Sequence, residues 1–376
     1  MTPPRALTIG IDARAAVEVP AGRGRVVREL LRSLAARTDD RHRYILYARQ
    51  AWRALELDER FAWHTIAARD PWWHMSAARA ANRTCDVFLS CNSYLTVLRL
   101  RIPAVPIVYD LAAFEPTMRP NARSTIVERL TLGPATRRCA ALLAISQATA
   151  DALAARFPAT IGRTTVAHLG AGPEHAGELT AAQAAALPAP GFVLAVGTLE
   201  PRKNLPRLVH AYGALDEKLQ RRHPLVVVGA LGWKTGPTLA ALRSLGERCT
   251  MLGFVSDAEL TELYRRCATF CYPSLGEGFG LPVLEAMAAG AAVVTSEVPS
   301  LMEVGGTAVE YVDPHDVASI AAGLRRVLTD ESRRAQLRSA GPERASEFSW
   351  EGFAERTLEV LEAVSGRYVP VASSSS

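Results

Sequence analysis

Ser274-Leu275-Gly276-Glu277-Gly278-Phe279-Gly280-Leu281-Pro282-Val283-Leu284-Glu285-Ala286-Met287 follows an apolar run, 268–272, that stops at Pro273. Glycines at 276, 278 and 280 precede a proline placed where the first turn of a helix accepts one. The pattern reads as strand, loop, helix. Glu277 falls in the loop and Glu285 about one turn inside the helix, so both can face a ligand lying over the helix N-terminus. Backbone N–H groups at such a terminus, beside glycines that permit close approach, seat phosphate and sugar hydroxyls. A glycine-rich turn alone is equally well a surface loop with two solvated glutamates. The rest of the chain decides between the two.

A chain of 376 residues, 49% hydrophobic and 22% charged, is too long for one ordinary core and suits two domains. Met1 to Arg5 carries no secretory pattern, and there is no charge-free run of 18 apolar residues to span a membrane. Six scattered cysteines lack zinc spacing and read as reduced, buried small side chains of a cytoplasmic protein. The net charge of +5 is uneven. Residues 1–180 hold 24 arginines and no lysine against 16 acidic residues, +8; the remainder has 19 basic against 22 acidic, −3. A basic first half suits anionic lipid headgroups or a phosphorylated acceptor, or is simply spread over solvated faces. No basic cluster interleaved with aromatics points to nucleic acid.

Strand, loop, helix recurs along the chain. Leu7 to Ile11 is a short strand, Gly22-Arg23-Gly24 a loop, and a helix is expected from about Arg25 with Val26, Val27, Leu30, Leu31 and Leu34 at helical spacing. The glycines do not match the dinucleotide GxGxxG, so they form only a weak phosphate-loop signal. Further strands are expected at 44–47, 87–89, 105–109 and 141–145, and Ser146 caps a helix to Phe157. Asp110 stands just past a strand end, where open parallel sheets bind ligands; capping that end is the alternative role. Trp72, Trp73 and His74 form either an acceptor-stacking shelf or an anchor to the core. Residues 170–191 turn to Ala, Gly and Pro and read as a linker. A second series comes after it, with strands at 192–196, 225–228, 249–252, 268–272, 291–295 and 309–312, and helices continue to Val364. The chain is therefore two doubly wound α/β halves, Rossmann-like, with strand ends facing a central cleft.

Three features of the second half lie at strand C-terminal ends: Arg202-Lys203, the stretch from Gly229, and Glu277 through Glu285. A guanidinium beside an ammonium neutralises a diphosphate, and a carboxylate accepts both hydroxyls of a ribose. Together they fit a nucleotide sugar. The chain has only three lysines, Lys203, Lys218 and Lys234, and one sits beside Arg202. That placement hints at a role arginine does not fill.

Glu277 through Glu285, preceded by Gly253-Phe254-Val255-Ser256 and by Gly197-Thr198-Leu199-Glu200-Pro201-Arg202-Lys203-Asn204, resembles glycosyltransferase family 4, retaining enzymes of GT-B fold. Gly10-Ile11-Asp12-Ala13-Arg14 with Gly22-Arg23-Gly24, and Val108-Tyr109-Asp110-Leu111, resemble more loosely its bacterial mannosyltransferase-like members. The resemblance implies an N-terminal acceptor-side domain over 1–180, a donor-binding domain over 181–345 and a helix at 346–366 crossing back to the first domain; the tail at 367–376, ending in four serines, is expected to be disordered. It implies that Arg202 and Lys203 hold the donor diphosphate, Glu285 the ribose, and Glu277 a hydroxyl of the transferred sugar. Backbone groups at Gly278, Phe279, Gly280 and Leu281 would face the donor, with Gly22 and Gly24 closing on its phosphates. Asp110 would orient the acceptor hydroxyl or the sugar. Neither metal nor cofactor is implied, because the two cations serve where a divalent ion does elsewhere.

One position departs from the pattern: Tyr109 stands where the resemblance expects histidine, and a phenol near pKa 10 does not share a proton at neutral pH. The expected activity is hexosyl transfer, with GDP-mannose as donor and a glycan or lipid-linked acceptor at the inner face of an anionic membrane. The alternatives are a sugar-nucleotide epimerase on the same fold and a binding-only relative.

Overall fold

The computed structural model describes residues 6–20, 22–115, 122–172 and 177–366. Met1 to Arg5 and the expected tail at 367–376 lie outside them. The chain divides into two compact units: one holds most of the chain up to Leu169 together with the chain from Ser349, the other the chain from Gly170 to Phe348.

In the first unit the strands are β1 (Thr8–Asp12), β2 (Arg43–Ala48), β3 (Phe61–Thr65), β4 (Val87–Ser90), β5 (Ala104–Val108), β6 (Leu142–Ala144) and β7 (Thr164–Val166). They pair in parallel in the order β3-β2-β1-β4-β5-β6-β7. β1, β4 and β5 are buried almost throughout, as their unbroken apolar runs require of a sheet covered on both faces. The expected helix begins at Arg23 rather than Arg25, spans Arg23–Ala36, and buries Val26, Val27, Leu30, Leu31 and Leu34. Ser146 caps Gln147–Arg156 by accepting from the Thr149 N–H at 3.0 Å.

The second unit repeats the plan with β8 (Val193–Val196), β9 (Leu225–Val228), β10 (Cys249–Gly253), β11 (Thr269–Tyr272), β12 (Val293–Ser296) and β13 (Glu310–Val312). Their order is β10-β9-β8-β11-β12-β13, again parallel. Counted from β8, that is the 3-2-1-4-5-6 order of the dinucleotide-binding fold. Crossovers leave β8 and β11 in opposite directions, so the loops after these two neighbouring strands part and leave a crevice at the sheet edge. The core beneath joins Val193, Leu208, Tyr212, Val227, Val294, Ile320 and Leu324.

The last helix, Trp350–Ser365, packs within the first unit, burying Phe353, Leu358 and Leu361. His42 ties it down. Its Nδ1 accepts the Leu7 N–H at 3.1 Å, which leaves the proton on Nε2 to donate to Glu362 at 2.9 Å.

Three local expectations are corrected. The edge strands β3 and β7 were not expected: β3 is half exposed and β7 has three residues. The 170–191 stretch is not all linker, because Thr180 and Gln183 form a capping box that starts a helix at Ala181–Ala186. Gly24 is not in a loop: it lies in the first turn of Arg23–Ala36, where an added Cβ would stand 1.8 Å from the Val19 carbonyl oxygen. Packing of that turn on the backbone of Ala15–Glu18 and Val19 explains the glycine.

Gly22 differs, with φ +54° and nothing within 4 Å of the missing side chain. Gly24→Ala should therefore destabilise the first unit by roughly 3 kcal/mol or more, and Gly22→Ala by only about 1 kcal/mol. Urea unfolding of both variants checks this; equal, small losses would show that Gly24 is not a packing residue.

Candidate active site

Arg202 and Lys203 stand on a single 3-10 turn, Pro201–Lys203, in the loop that leaves β8. Glu277 stands in the loop that leaves β11, and Glu285 on the helix Leu281–Ala288 beyond it. The sheet order brings both loops to the crevice. Backbone and side-chain bonds then fasten them together: the Leu275 N–H donates to the Arg202 carbonyl at 2.8 Å, and Asn204 Nδ2 donates to the Pro273 and Pro314 carbonyls at 2.9 and 2.7 Å. Asn204 adopts the left-handed conformation, φ 59°, which lets one residue end the turn and begin the helix Leu205–Gly213.

Glu277 is the hub. Its Oε1 accepts from Lys203 Nζ at 2.7 Å, the Tyr272 hydroxyl at 2.9 Å and the Ser274 hydroxyl at 2.6 Å, and its Oε2 pairs with Arg202 Nη1. Ser300 Oγ donates to the Glu277 carbonyl at 2.8 Å, which fixes the backbone as well. Burial alone would raise this carboxyl, but Arg202 and Lys203 hold it down at about 2. Burial pulls the Lys203 ammonium down, with the Arg202 charge adding to it and Glu277 opposing. The Tyr272 phenol, buried and against Glu277, is pushed well above its usual value, so it keeps its proton to donate.

Arg202 is held from a second side by Glu200, which pairs with its Nε. Glu200 is itself buried, and burial raises its carboxyl against the pull of Arg202. Glu200, Tyr272 and Ser274 are thus part of the cluster although sequence reading assigned them no role. Glu200 lies within the Gly197-to-Asn204 motif, but two-residue spacing to Arg202 gives no signal in a loop, and Tyr272 reads as an ordinary strand residue.

Glu285 is buried beside Tyr264, whose hydroxyl donates to its Oε2 at 3.4 Å. Phe279 is buried, its ring edge-on to Phe348 at 5.8 Å. Gly280 has φ 114°, and a Cβ there would meet Leu301 at 2.5 Å. Gly280 and Leu281 begin a helix, where N–H groups have no intrahelical acceptor.

Gly22, Gly24 and Asp110 belong to the first unit. Asp110 Oδ1 accepts the Ala112 N–H at 2.9 Å and so shapes the turn after β5. Tyr109 is buried and donates its hydroxyl to the Cys91 carbonyl at 2.9 Å, with its phenol raised well above the usual value by burial. It is a structural donor and not a proton shuttle. Arg23 lies over its ring at 5.2 Å. Nearby Glu128 is pushed up to about 7 by burial and then by the Asp110 charge, with Arg23 opposing. The aromatic cluster also divides: Trp73 is fully buried under the Arg14 guanidinium at 4.0 Å and His74 bonds Thr96 at 2.8 Å, whereas Trp72 is 64% exposed.

A doubly wound unit with two cations and two carboxylates at its switch point is a fit receptor for an anionic, hydroxyl-rich ligand. Residues 181–344 match the family described as Glycosyl transferases group 1. The whole chain has the GT-B fold. It superposes on sucrose-phosphate synthase from Thermosynechococcus elongatus with TM-score 0.75 and 18% identity, covering 97% of this chain and 100% of that one. HepE from Anabaena in complex with UDP and glucose gives TM-score 0.74 at 17% identity, covering 95% and 100%. In sequence, 174 residues are 42% identical to O-antigen chain mannosyltransferase B of Escherichia coli, 45% of this chain and 45% of that protein. The match thus spans less than half the length of that relative. Over 45% of its length the chain is thus similar to a bacterial mannosyltransferase, and over its whole length it has the fold of the GT-B glycosyltransferases.

The hub makes stability depend on acid. A carboxyl lowered from 4.5 to about 2 contributes stability that is present above about 4.5 and lost as pH falls toward 2. Glu277→Gln leaves two buried cations short of a partner and should cost about 3–5 kcal/mol at neutral pH. It should also flatten the acid limb of stability against pH. Urea unfolding from pH 7 down to 3 checks both, and an unchanged acid limb in the variant would refute the hub.

Proposed function

We propose that the protein is a retaining hexosyltransferase that moves mannose from GDP-mannose to a hydroxyl of a glycan or lipid-linked acceptor. The observation that carries this reading is the union of Arg202, Lys203 and Glu277 at the switch point of a Glycosyl transferases group 1 domain. The sugar is taken from the likeness to a mannosyltransferase, and the nucleoside-diphosphate class from HepE, solved with UDP and glucose. In this reading Arg202, whose side chain is 23% exposed, meets the diphosphate, and Lys203 adds its charge from behind. Glu285 accepts the ribose hydroxyls. The bond from the sugar's anomeric carbon to the diphosphate oxygen breaks, the acceptor oxygen bonds to that carbon from the same face, and the acceptor proton passes to the departing phosphate oxygen. Arg202 and Lys203 stabilise the charge that grows on the leaving group, with no divalent ion required.

No helix among the described residues is long and apolar enough to cross a membrane. The reading places the protein in the cytoplasm, in peripheral contact with the anionic inner face of the membrane where a lipid-linked acceptor resides.

Thermal unfolding with GDP-, UDP-, TDP- and ADP-sugars, with and without chelator, tests the donor. GDP-mannose at about 100 times its Kd should add roughly 2.7 kcal/mol, unaffected by chelator and weakened in Glu285→Ala. Arg202→Ala should lower the rate of mannosyl transfer roughly 10²–10³-fold. Stabilisation by another nucleotide class would overturn the donor. An isomerised sugar from donor alone would replace transfer by epimerisation, and binding without turnover on any acceptor would leave a binding-only protein.

A further inference from the structure

The first unit carries an open groove of about 630 Å³ whose walls are the helix Trp72–Thr84 and the turn around 99–101. Positions 72, 75, 76, 79 and 83 fall on one face of that helix, while Trp73, His74, Ala77 and Ala81 face the core. The outward face is therefore Trp72, Met75, Ser76, Arg79 and Arg83. Trp72 is 64% exposed and Met75 42%, an unusual pair to leave in water on one turn of helix. The opposite wall adds Arg99 and Arg101, both exposed. Asn82 holds the walls in register: its Nδ2 donates to the Arg99 carbonyl at 3.2 Å and its Oδ1 accepts the Arg101 N–H at 2.7 Å. Four arginines line the groove and no lining residue is acidic.

We propose that this face docks on an anionic lipid surface, with Trp72 and Met75 entering the headgroup region and Arg79, Arg83, Arg99 and Arg101 on the phosphates. It deepens the peripheral-membrane part of the proposed function by naming the surface. The pattern is that of an interfacial helix: an aromatic with an apolar body and a polar N–H, next to arginines whose stems cover apolar surface while their heads stay at phosphate level. A soluble phosphate ligand would use the arginines but give no reason for the exposed tryptophan and methionine. A helix of 13 residues is too short to span a bilayer, so it lies on the surface. Arginines near an anionic leaflet act over about a Debye length, so docking has a part that salt weakens and an apolar part that it does not.

The test is co-sedimentation of the full chain with phosphatidylcholine vesicles containing about 30% phosphatidylglycerol, against pure phosphatidylcholine, at low and high salt. Arg79→Glu/Arg83→Glu should reduce binding roughly tenfold or more and remove most of its salt dependence. Trp72→Ala should reduce the binding that persists at high salt. Unchanged stabilisation by the donor nucleotide shows that both variants are folded. If the wild type binds anionic vesicles and the charge-reversed variant binds equally well, this surface is wrong while peripheral contact stands. If the wild type binds no vesicles, both fall. If inorganic phosphate alone stabilises the wild type but not the charge-reversed variant, and vesicles are not bound, the groove is a soluble-anion site and the lipid proposal is overturned.

Discussion

One buried carboxylate keeps the two cations of the site in the same place. Arg202 and Lys203 are sequence neighbours on one tight turn, and burial works against the charge of both, with the net shift downward for the lysine. Without a negative partner the turn would open and carry them toward water. Glu277 comes from the neighbouring strand's loop, so satisfying the cations also fastens the loop of β8 to the loop of β11. The backbone bond from Leu275 to Arg202 and the two bonds of Asn204 run along the same line. The result is a fixed turn, with Arg202 at its partly exposed edge, that exists before any ligand arrives. Arg202 is held by Glu200 and Glu277 together, so an anion that meets it orders little further side-chain freedom.

A parallel, doubly wound sheet in each unit yields different chemistry, because the residues after the first strand differ. Beyond β8 come two cations and a buried acid. At the end of β1 stands Asp12, fully buried and pushed up to about 6 by burial despite Arg14. Arg14 is engaged with Asp70 at 2.9 Å and stacked on Trp73. In the first unit the arginine at this position is thus absorbed into packing, whereas in the second Arg202 keeps an exposed edge. Topology supplies the crevice, and the loop residues decide whether it holds a ligand or a core.

In the second unit β8, β9, β11 and β12 were readable because each is a short, buried, mostly β-branched or aromatic run in a parallel sheet. The edge strands β3 and β7 were not, because they are only partly buried and short, with His64-Thr65 and Thr164-Thr165 breaking the apolar run. At the site, Arg202, Lys203 and Glu277 stood out as charged residues at strand ends, and the structure joins them. The hydrogen bonds that join them were illegible, since whether Lys203 faces Glu277 depends on strand order, which a single sequence does not fix. Gly24 shows the opposite failure. A glycine beside a second glycine reads as a loop, but here it is the mark of one helix lying against another segment's backbone.

The sole lysine of the cluster has a geometric reason. Its stem crosses Gly197, whose absent Cβ would stand 3.2 Å from Lys203 Cε, so the channel to the hub is narrow. At its end a compact ammonium reaches both the Tyr272 hydroxyl and Glu277 Oε1. A planar guanidinium would need a wider slot than this. An arginine-rich chain has kept lysine where a point charge must enter a tight space, and has placed arginine next to it, where a fork of donors can turn outward to an anion. The pair is therefore a division of labour: Lys203 secures the hub from inside, and Arg202 presents the charge.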